Sequence, residues 1–499
     1  MFRSLLVANR GEIAVRILRC CRELGIESVA VYSDADADMP HVRLADRAVR
    51  LGPAAPAESY LDARRLLEAA GSSGAEAIHP GYGFLAENAA FARAVRAAGL
   101  AFVGPTPEAI EAMGDKMAAR RTAAANGIPI VPGSEPESRL DALAAQAYGI
   151  GFPILVKAAG GGGGRGMRRV EEPSQLGAAL AAASREAEAA FGDGRVYLER
   201  ALDRPRHVEV QVLADRHGNA LHLFERECSL QRRFQKIVEE APAPNLEPAT
   251  RTALTDAAVR LARAVEYEGA GSVEYLLHDG HWYFLEMNTR LQVEHPVTEM
   301  ICGVDLVRAQ IEIAAGLPLA FRQEDLEIQG SAIEARVCAE DPSRGFVPSP
   351  GLLAEFSLPA GPGIRCDAGV VTGSRIPPEY DAMIAKVIAH DHDREAALAR
   401  LRRALEETAV VGVASNLGHL LDLLEDDEVR AGRLDTQLVQ RKLDAAAASS
   451  SEGLPPELVA VALFAARRLA PAPAGDGSEA PTPSPWTSLP GWRGGGVRS

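Results

Sequence analysis

The stretch from residue 4 to residue 33 constrains the fold most, because it runs strand, helix, strand in a single pass. SLLVA at 4–8 is an apolar run of strand length. NRGEIAVRILRCCRELG follows, with apolar residues at helical spacing and Gly25 where a helix C-cap belongs. SVAVYSD then reads as a second strand. The alternation continues through GAEAIHPGYGFLAENAAFARAVRAAGLAFVGP, so residues 1–112 are expected to form an α/β layer domain built around a parallel sheet.

The texture changes near residue 113. A helix carrying Lys116, a Pro/Gly-rich hinge at IPIVPGSEP, strands and a glycine run read as an inserted lid over about residues 131–203. HVEVQVLAD, ALHLFERECSLQ and SVEYLLHDGHWYFLEMN are strand-rich segments that alternate with helices to residue 330, and Asp279-Gly280 is a two-residue hairpin signal. Residues 331–445 mix strands and helices as a third domain, and the Ala/Pro/Gly/Ser bias of 446–499 reads as linker and tail. The expected class is α/β (α+β) throughout. Some three domains also suit 499 residues of which 47% are apolar.

The formal charge of -15 argues against a general binder of nucleic acid. No apolar stretch approaches the ~18 residues of a membrane span, and the opening MFRSLLVANR is too short for a signal peptide, so the chain is expected to be cytoplasmic with no membrane partner. Six cysteines without a CxxC pair read as buried or incidental thiols. Lysine is avoided: Lys116, Lys157, Lys236, Lys386 and Lys442 stand against 48 arginines. A chain that otherwise uses arginine keeps lysine where a compact point charge is needed.

Lys157 is followed by AAGGGGGRG, between the strand-like FPILVKA and MRRV. Glycines let backbone N–H groups close on phosphate oxygens, and Lys157 adds a charge, although a flexible surface loop has the same composition. Gly161, Gly163 and Gly166 satisfy GxGxxG, but a dinucleotide fingerprint must open a helix, and this loop joins two strands. In EMNTRLQVE, Glu286, Asn288, Arg290, Gln292 and Glu294 fall on every second residue. If the segment is extended, they share a face that offers oxygen ligands for Mg²⁺, a fixed cation and a base. A solvated edge strand would show the same alternation; Glu274, close to opposite Glu286 on the preceding strand, favours the metal reading.

Lys116 in GDK, Lys157 before its glycine loop and EMNTRLQVEHPVTE together resemble the ATP-grasp module of biotin carboxylases. ANRGEIAVRI, HPGYGFLAEN, GGGGGRGM, RHVEVQVLAD, CSLQRR, VEEAPAP, FVPSPG and PPEYDAMIAKV extend the likeness over about residues 1–445. It implies a Rossmann-like pre-ATP-grasp domain, an ATP-grasp domain with its lid, and a mixed α/β C-terminal domain. It further implies ATP- and bicarbonate-dependent carboxylation of biotin through carboxyphosphate, as the first half-reaction of an acyl-CoA carboxylase.

Carried over by position, nucleotide contacts fall on Lys116, Lys157, Gly163, Gly164, Glu199, Leu202, His207 and Gln231. Mg²⁺ or Mn²⁺ falls to Glu274, Glu286 and Asn288, and bicarbonate to Lys236, Arg290, Gln292 and Val293. Glu294 is then the base, Arg336 faces the biotin ureido oxygen, and Lys236 and Arg290 join them as catalytic residues. Spacing alone makes Arg336 a surface residue, since Glu334 and Arg336 alternate with Ile333, Ala335 and Val337.

One departure stands out: many relatives have QRRHQK where this chain has QRRFQK. Phe234 cannot hydrogen-bond a ribose hydroxyl, which predicts ATP binding weaker by about 1 kcal/mol unless packing compensates. No lysine sits in a Met-Lys-Met context, so the resemblance implies a separate biotin carboxyl carrier and a carboxyltransferase as partners, and a homodimer is consistent with it. SPWTSLPGWR at 484–493 resembles the region after this part in longer acyl-CoA carboxylase α chains, which leaves a free-standing subunit and the front of a longer polypeptide both open. Two rival readings remain: another ATP-grasp ligase, which would lack HPGYGFLAEN, and a non-catalytic nucleotide-binding subunit, which would lack Lys236, Arg290, Glu294 or Arg336.

Overall fold

Residue by residue, β1 (Ser4–Val7) is buried along its length, as a parallel strand covered on both faces must be. Helix α1 (Gly11–Leu24) turns Ile13, Ile17, Leu18 and Cys21 inward, and Gly25 ends it in the left-handed region at φ 67°. β2 (Glu27–Ser33), β3 (Arg47–Gly52), β4 (Ala77–His79) and β5 (Ala101–Phe102) complete an all-parallel sheet ordered β3-β2-β1-β4-β5. The expected parallel layer is thus what forms. The computed structural model describes residues 1–159 and 167–449. Gly163 and Gly164, the linker from residue 450 onward and the SPWTSLPGWR stretch lie outside the described residues.

A second, three-stranded antiparallel sheet follows. Its centre is β6 (Ile154–Ala158), flanked by β7 (Arg168–Val170) and β8 (Val196–Arg200). The strands on either side of the glycine run pair with each other, as a strand-to-strand loop requires. Helices Leu140–Ile150 and Pro173–Phe191 pack on this sheet around a core of their own that includes Leu143, Val156, Leu180 and Leu198.

The largest element is an eight-stranded antiparallel sheet. Its strands are β9 (Arg206–Ala214), β10 (Ala220–Arg232), β11 (Gln235–Ala241), β12 (Gly269–His278), β13 (His281–Asn288), β14 (Ser331–Cys338), Ile364–Ala368 and Met383–Asp391. Across the sheet the order is β13-β12-β9-β10-β11-β14, then Met383–Asp391 and Ile364–Ala368 at the far edge. Asp279 (φ 49°) and Gly280 (φ 75°) make the two-residue turn between β12 and β13, both in the left-handed region that such a turn demands. Val208, Val210 and Val212 of β9 pack on helix Pro248–Ala264 through Leu254, Ala257 and Leu261. The intervening His207, Glu209 and Gln211 are also buried, so a polar layer lies under the opposite face.

This sheet runs without a break from the middle of the chain into its last third, since β11 pairs with β14. That continuity corrects the surface reading of Arg336: Ile333, Ala335 and Val337 are buried, but so is Glu334, because both faces of β14 are covered. Met1–Lys442 form one compact unit; Leu443 begins a second, of which only the end of helix Leu438–Ser449 is described. No helix among the described residues is long and apolar enough to cross a membrane.

Candidate active site

Strand register builds the centre. Glu286 on β13 stands directly across from Glu274 on β12, Glu274 from Glu209 on β9, and Glu209 from Arg226 on β10. Directly opposed residues point to the same face, so three carboxylates and a guanidinium form one row across four strands. Like charges side by side are unfavourable, and buried ones acutely so, unless cations sit between them. Arg226 Nε donates to Glu209 Oε1 at 2.6 Å. From β11, Lys236 Nζ reaches Glu209 (2.8 Å), Glu274 (2.9 Å) and Glu294 (2.7 Å). Glu294 Oε2 accepts from Arg336 Nη2 at 2.9 Å, and Arg336 Nε donates to Glu239 at 2.7 Å.

Burial pushes the Glu274 carboxyl up, but Lys236 and His207 overcome it and hold it well below the usual carboxylate range. Glu294 behaves alike under Lys236, Arg336 and Arg226. Burial disfavours a charged Lys236, and the acidic groups around it (Cys228, Glu209, Glu274, Glu294) outweigh that and keep the ammonium. Glu239 goes the other way: burial, resisted by Arg336 and aided by Glu294, takes it up to about 7.

Two adjoining cavities meet at this row. One, of about 570 Å³, is lined by Lys116, Lys157, Glu199, Leu202, His207 and Gln231, which are all the described residues that sequence assigns to the nucleotide. The other, of about 790 Å³, is lined by Lys236, Arg290, Gln292, Val293, Glu294 and Arg336. Glu274, Glu286, His207 and Phe234 border both, and Asn288 borders the second. In the first cavity the Asp115 carboxylate caps helix Lys116–Ala125, which sets Lys116 in its first turn with Nζ 3.2 Å from Glu286. Lys157 bonds Glu199, whose other oxygen takes Arg120 at 2.5 Å. In the second cavity Arg290 Nε donates to Glu87 at 2.8 Å and its Nη1 to Gln292 at 2.8 Å.

The extended reading of 286–294 holds only as far as Asn288, where β13 ends. Residues 289–294 bend, and Glu294 becomes the N-cap of helix His295–Cys302, whose Pro296 suits a first turn. The bend brings Val293, which alternation would put on the opposite face, into the same cavity as Gln292 and Glu294. Sequence reasoning passed over Glu209, Glu239, Glu87 and Arg226. The alternation His207, Glu209, Gln211 against three valines marks Glu209; nothing local marks the others, whose partners come from distant strands.

Glu274, Glu286 and Asn288 supply two carboxylates and an amide oxygen, a hard donor set that fits Mg²⁺, and the two carboxylates stand where both cavities share a wall. His207 Nε2 lies 3.0 Å from Glu274 Oε2. A three-stranded and an eight-stranded antiparallel sheet that line one cavity together, with Lys157 on the first and Lys236 and paired carboxylates on the second, define an ATP-grasp class of enzyme.

Comparison with known proteins narrows the class. Residues 1–110 match the family model described as biotin carboxylase, N-terminal domain, 115–322 that of the carbamoyl-phosphate synthase L chain ATP binding domain, and 334–441 the biotin carboxylase C-terminal domain. A biotin carboxylase of Haemophilus influenzae is 49% identical over 445 residues, covering 89% of this chain and 99% of that one. The biotin carboxylase-beta-gamma-ATP complex from Campylobacter jejuni superposes at TM-score 0.85 with 42% identity, over 88% of this chain and 99% of that one. The biotin carboxylase domain dimer of Hydrogenobacter thermophilus 2-oxoglutarate carboxylase, solved with MgADP, ADP and bicarbonate, gives TM-score 0.84 and 44% identity, over 88% and 98%. The chain belongs to the biotin carboxylase family.

Proposed function

We propose that the chain carboxylates biotin held on a separate carrier, using ATP and bicarbonate by way of carboxyphosphate. The observation that carries this reading is the partition of the site. Nucleotide groups line one cavity, groups for a small anion line the other, and Glu274 and Glu286 stand on their common wall. Lys116, Lys157 and the glycine loop with Gly163 and Gly164 cradle the phosphates; Glu199, Leu202, His207 and Gln231 complete the nucleotide pocket. Glu274, Glu286 and Asn288 would hold Mg²⁺ or Mn²⁺, which neutralises charge on the transferring phosphoryl group.

Arg290, Gln292, Lys236 and Val293 seat bicarbonate, and Glu294 takes its proton as a bicarbonate oxygen attacks the γ-phosphorus and ADP leaves. The cations that keep Glu294 ionised also make it a weak base. Lys236 shifting toward the bound anions relieves that pull. Closure of the lid keeps water from the carboxyphosphate. Its breakdown releases CO₂ and a fully deprotonated phosphate beside the biotin ureido group; that phosphate takes the proton of the ureido N–H, Arg336 stabilises the negative oxygen so formed, and the nitrogen attacks CO₂.

The carrier and a carboxyltransferase are the partners in this reading, the assembly is a homodimer, and the reaction is cytoplasmic, with domains dividing near residues 112, 330 and 445. The acceptor beyond biotin belongs to the carboxyltransferase. The test is ATP cleavage by the purified chain with Mg²⁺ and bicarbonate, with and without free biotin. We expect bicarbonate-dependent cleavage that biotin stimulates, and loss of the stimulation in Arg336→Ala. ATP binding without bicarbonate-dependent turnover would instead favour a regulatory subunit.

A further inference from the structure

Lys386 stands on the strand Met383–Asp391 and is wholly buried. A buried ammonium is costly unless it is paired and hydrogen-bonded, so its partners show what it is held for. Its Nζ donates to the carbonyl of Val293 at 2.7 Å and lies 3.0 Å from Glu12, with Asp367 at 3.9 Å. Glu12 in turn accepts from the hydroxyl of Tyr82, on the wall of the larger cavity. Burial works to neutralise Lys386, but Glu12, Glu334 and Asp367 keep it protonated.

Strand register adds the decisive relation. Lys386 is directly across from Arg336 of β14, so the two cations leave the sheet side by side on one face. Arg336 holds the carboxylate of Glu294 (2.9 Å), and Lys386 holds the carbonyl of the peptide that leads into Glu294 (2.7 Å). One residue is therefore gripped at its side chain and at its backbone by neighbours on adjacent strands. Glu294 opens helix His295–Cys302 without a side-chain capping bond, so the backbone grip has to set its orientation while the carboxylate faces the cavity.

We propose that Lys386 is a positioning residue for bicarbonate activation: its ammonium fixes the 293–294 peptide and so aims Val293 and Glu294 at the anion. Its ligands come from helix α1, from the segment after β13 and from the strand Ile364–Ala368, which makes one ammonium the meeting point of three stretches far apart in the chain. The inference rests on the reading of Glu294 as the base.

The test is Lys386→Met in the full chain, examined by crystal structure and by initial rates of ATP cleavage. We expect the 293–294 peptide to turn away from its present orientation. We also expect kcat/KM for bicarbonate to fall about 100-fold with the KM for ATP within about threefold of the parent. An unmoved peptide, a fall of less than about threefold, or an equal loss in ATP affinity overturns the proposal. If K386M fails to fold because Glu12 is left unpaired, the double variant K386M/E12Q removes both charges and is read in the same way. A parent chain without bicarbonate-dependent cleavage would defeat the catalytic reading, while the crystal structure would still decide whether Lys386 sets the peptide.

Discussion

Phe234 sits on the rim common to both cavities, at φ 67° with 64% of its surface exposed. Its ring thus gains little from burial within the chain itself. Histidine both offers a hydrogen bond to a ribose hydroxyl and tolerates the left-handed region better than phenylalanine. Phe234→His is accordingly expected to lower the dissociation constant for ATP about fivefold, near 1 kcal/mol, with little change in the bicarbonate KM; titration calorimetry with a nonhydrolysable analogue measures it. Single residues were legible where the chemistry is local to a motif. Lys116, Lys157 and Lys236 stood out by type, and each lies in the site. Lys386 stood out by type as well but was given no role, and Arg336 did not stand out at all, because what distinguishes these two is a partner on a neighbouring strand. That partner is set by register, which no local pattern states.

Elements explain how loops are aimed. His79 ends β4, and its Nδ1 accepts the N–H of Gly81, fixing the turn that presents Tyr82. Burial, with Arg16 nearby, pushes its imidazole down to about 3. The folded chain thus keeps His79 neutral where an unfolded chain protonates it, and its contribution is complete above about pH 6.5 and lost as pH falls toward 3. His79→Asn removes that titration. Its thermal midpoint, below the parent's at pH 7.5, should draw closer as pH falls through this window, and a constant gap would exclude the assignment.

Gly369 follows the strand Ile364–Ala368 and meets helix α1 so closely that a Cβ there would lie 2.5 Å from the Glu12 nitrogen. Gly369→Ala is expected to cost about 1–3 kcal/mol, read as a lower thermal midpoint, and to raise the bicarbonate KM by displacing Glu12. The alternation through 286–294 promised a strand, of which only residues 286–288 are extended as part of β13. The chain bends from residue 289 and enters the helix only at His295, and period-two spacing carries no mark of that change.

At the scale of the whole molecule, the parallel first layer, the strands flanking the glycine run and the hairpin at Asp279-Gly280 were all readable from periodicity and turn chemistry. The single sheet that carries β12 at one end and Met383–Asp391 toward the other was not, because pairing between strands far apart in sequence leaves no local trace. The cations and carboxylates around the two cavities stand in pairs: Lys116 with Glu286, Lys157 with Glu199, Arg290 with Glu87, and Lys236 with three glutamates. Each cation assigned to a substrate thus already has a counterion on another element. Arrival of an anionic substrate is then an exchange of partners more than a capture of charge. The pocket behaves like an ion exchanger loaded with its own carboxylates, its cations kept in place and, Lys116 apart, largely shielded from water before any substrate comes.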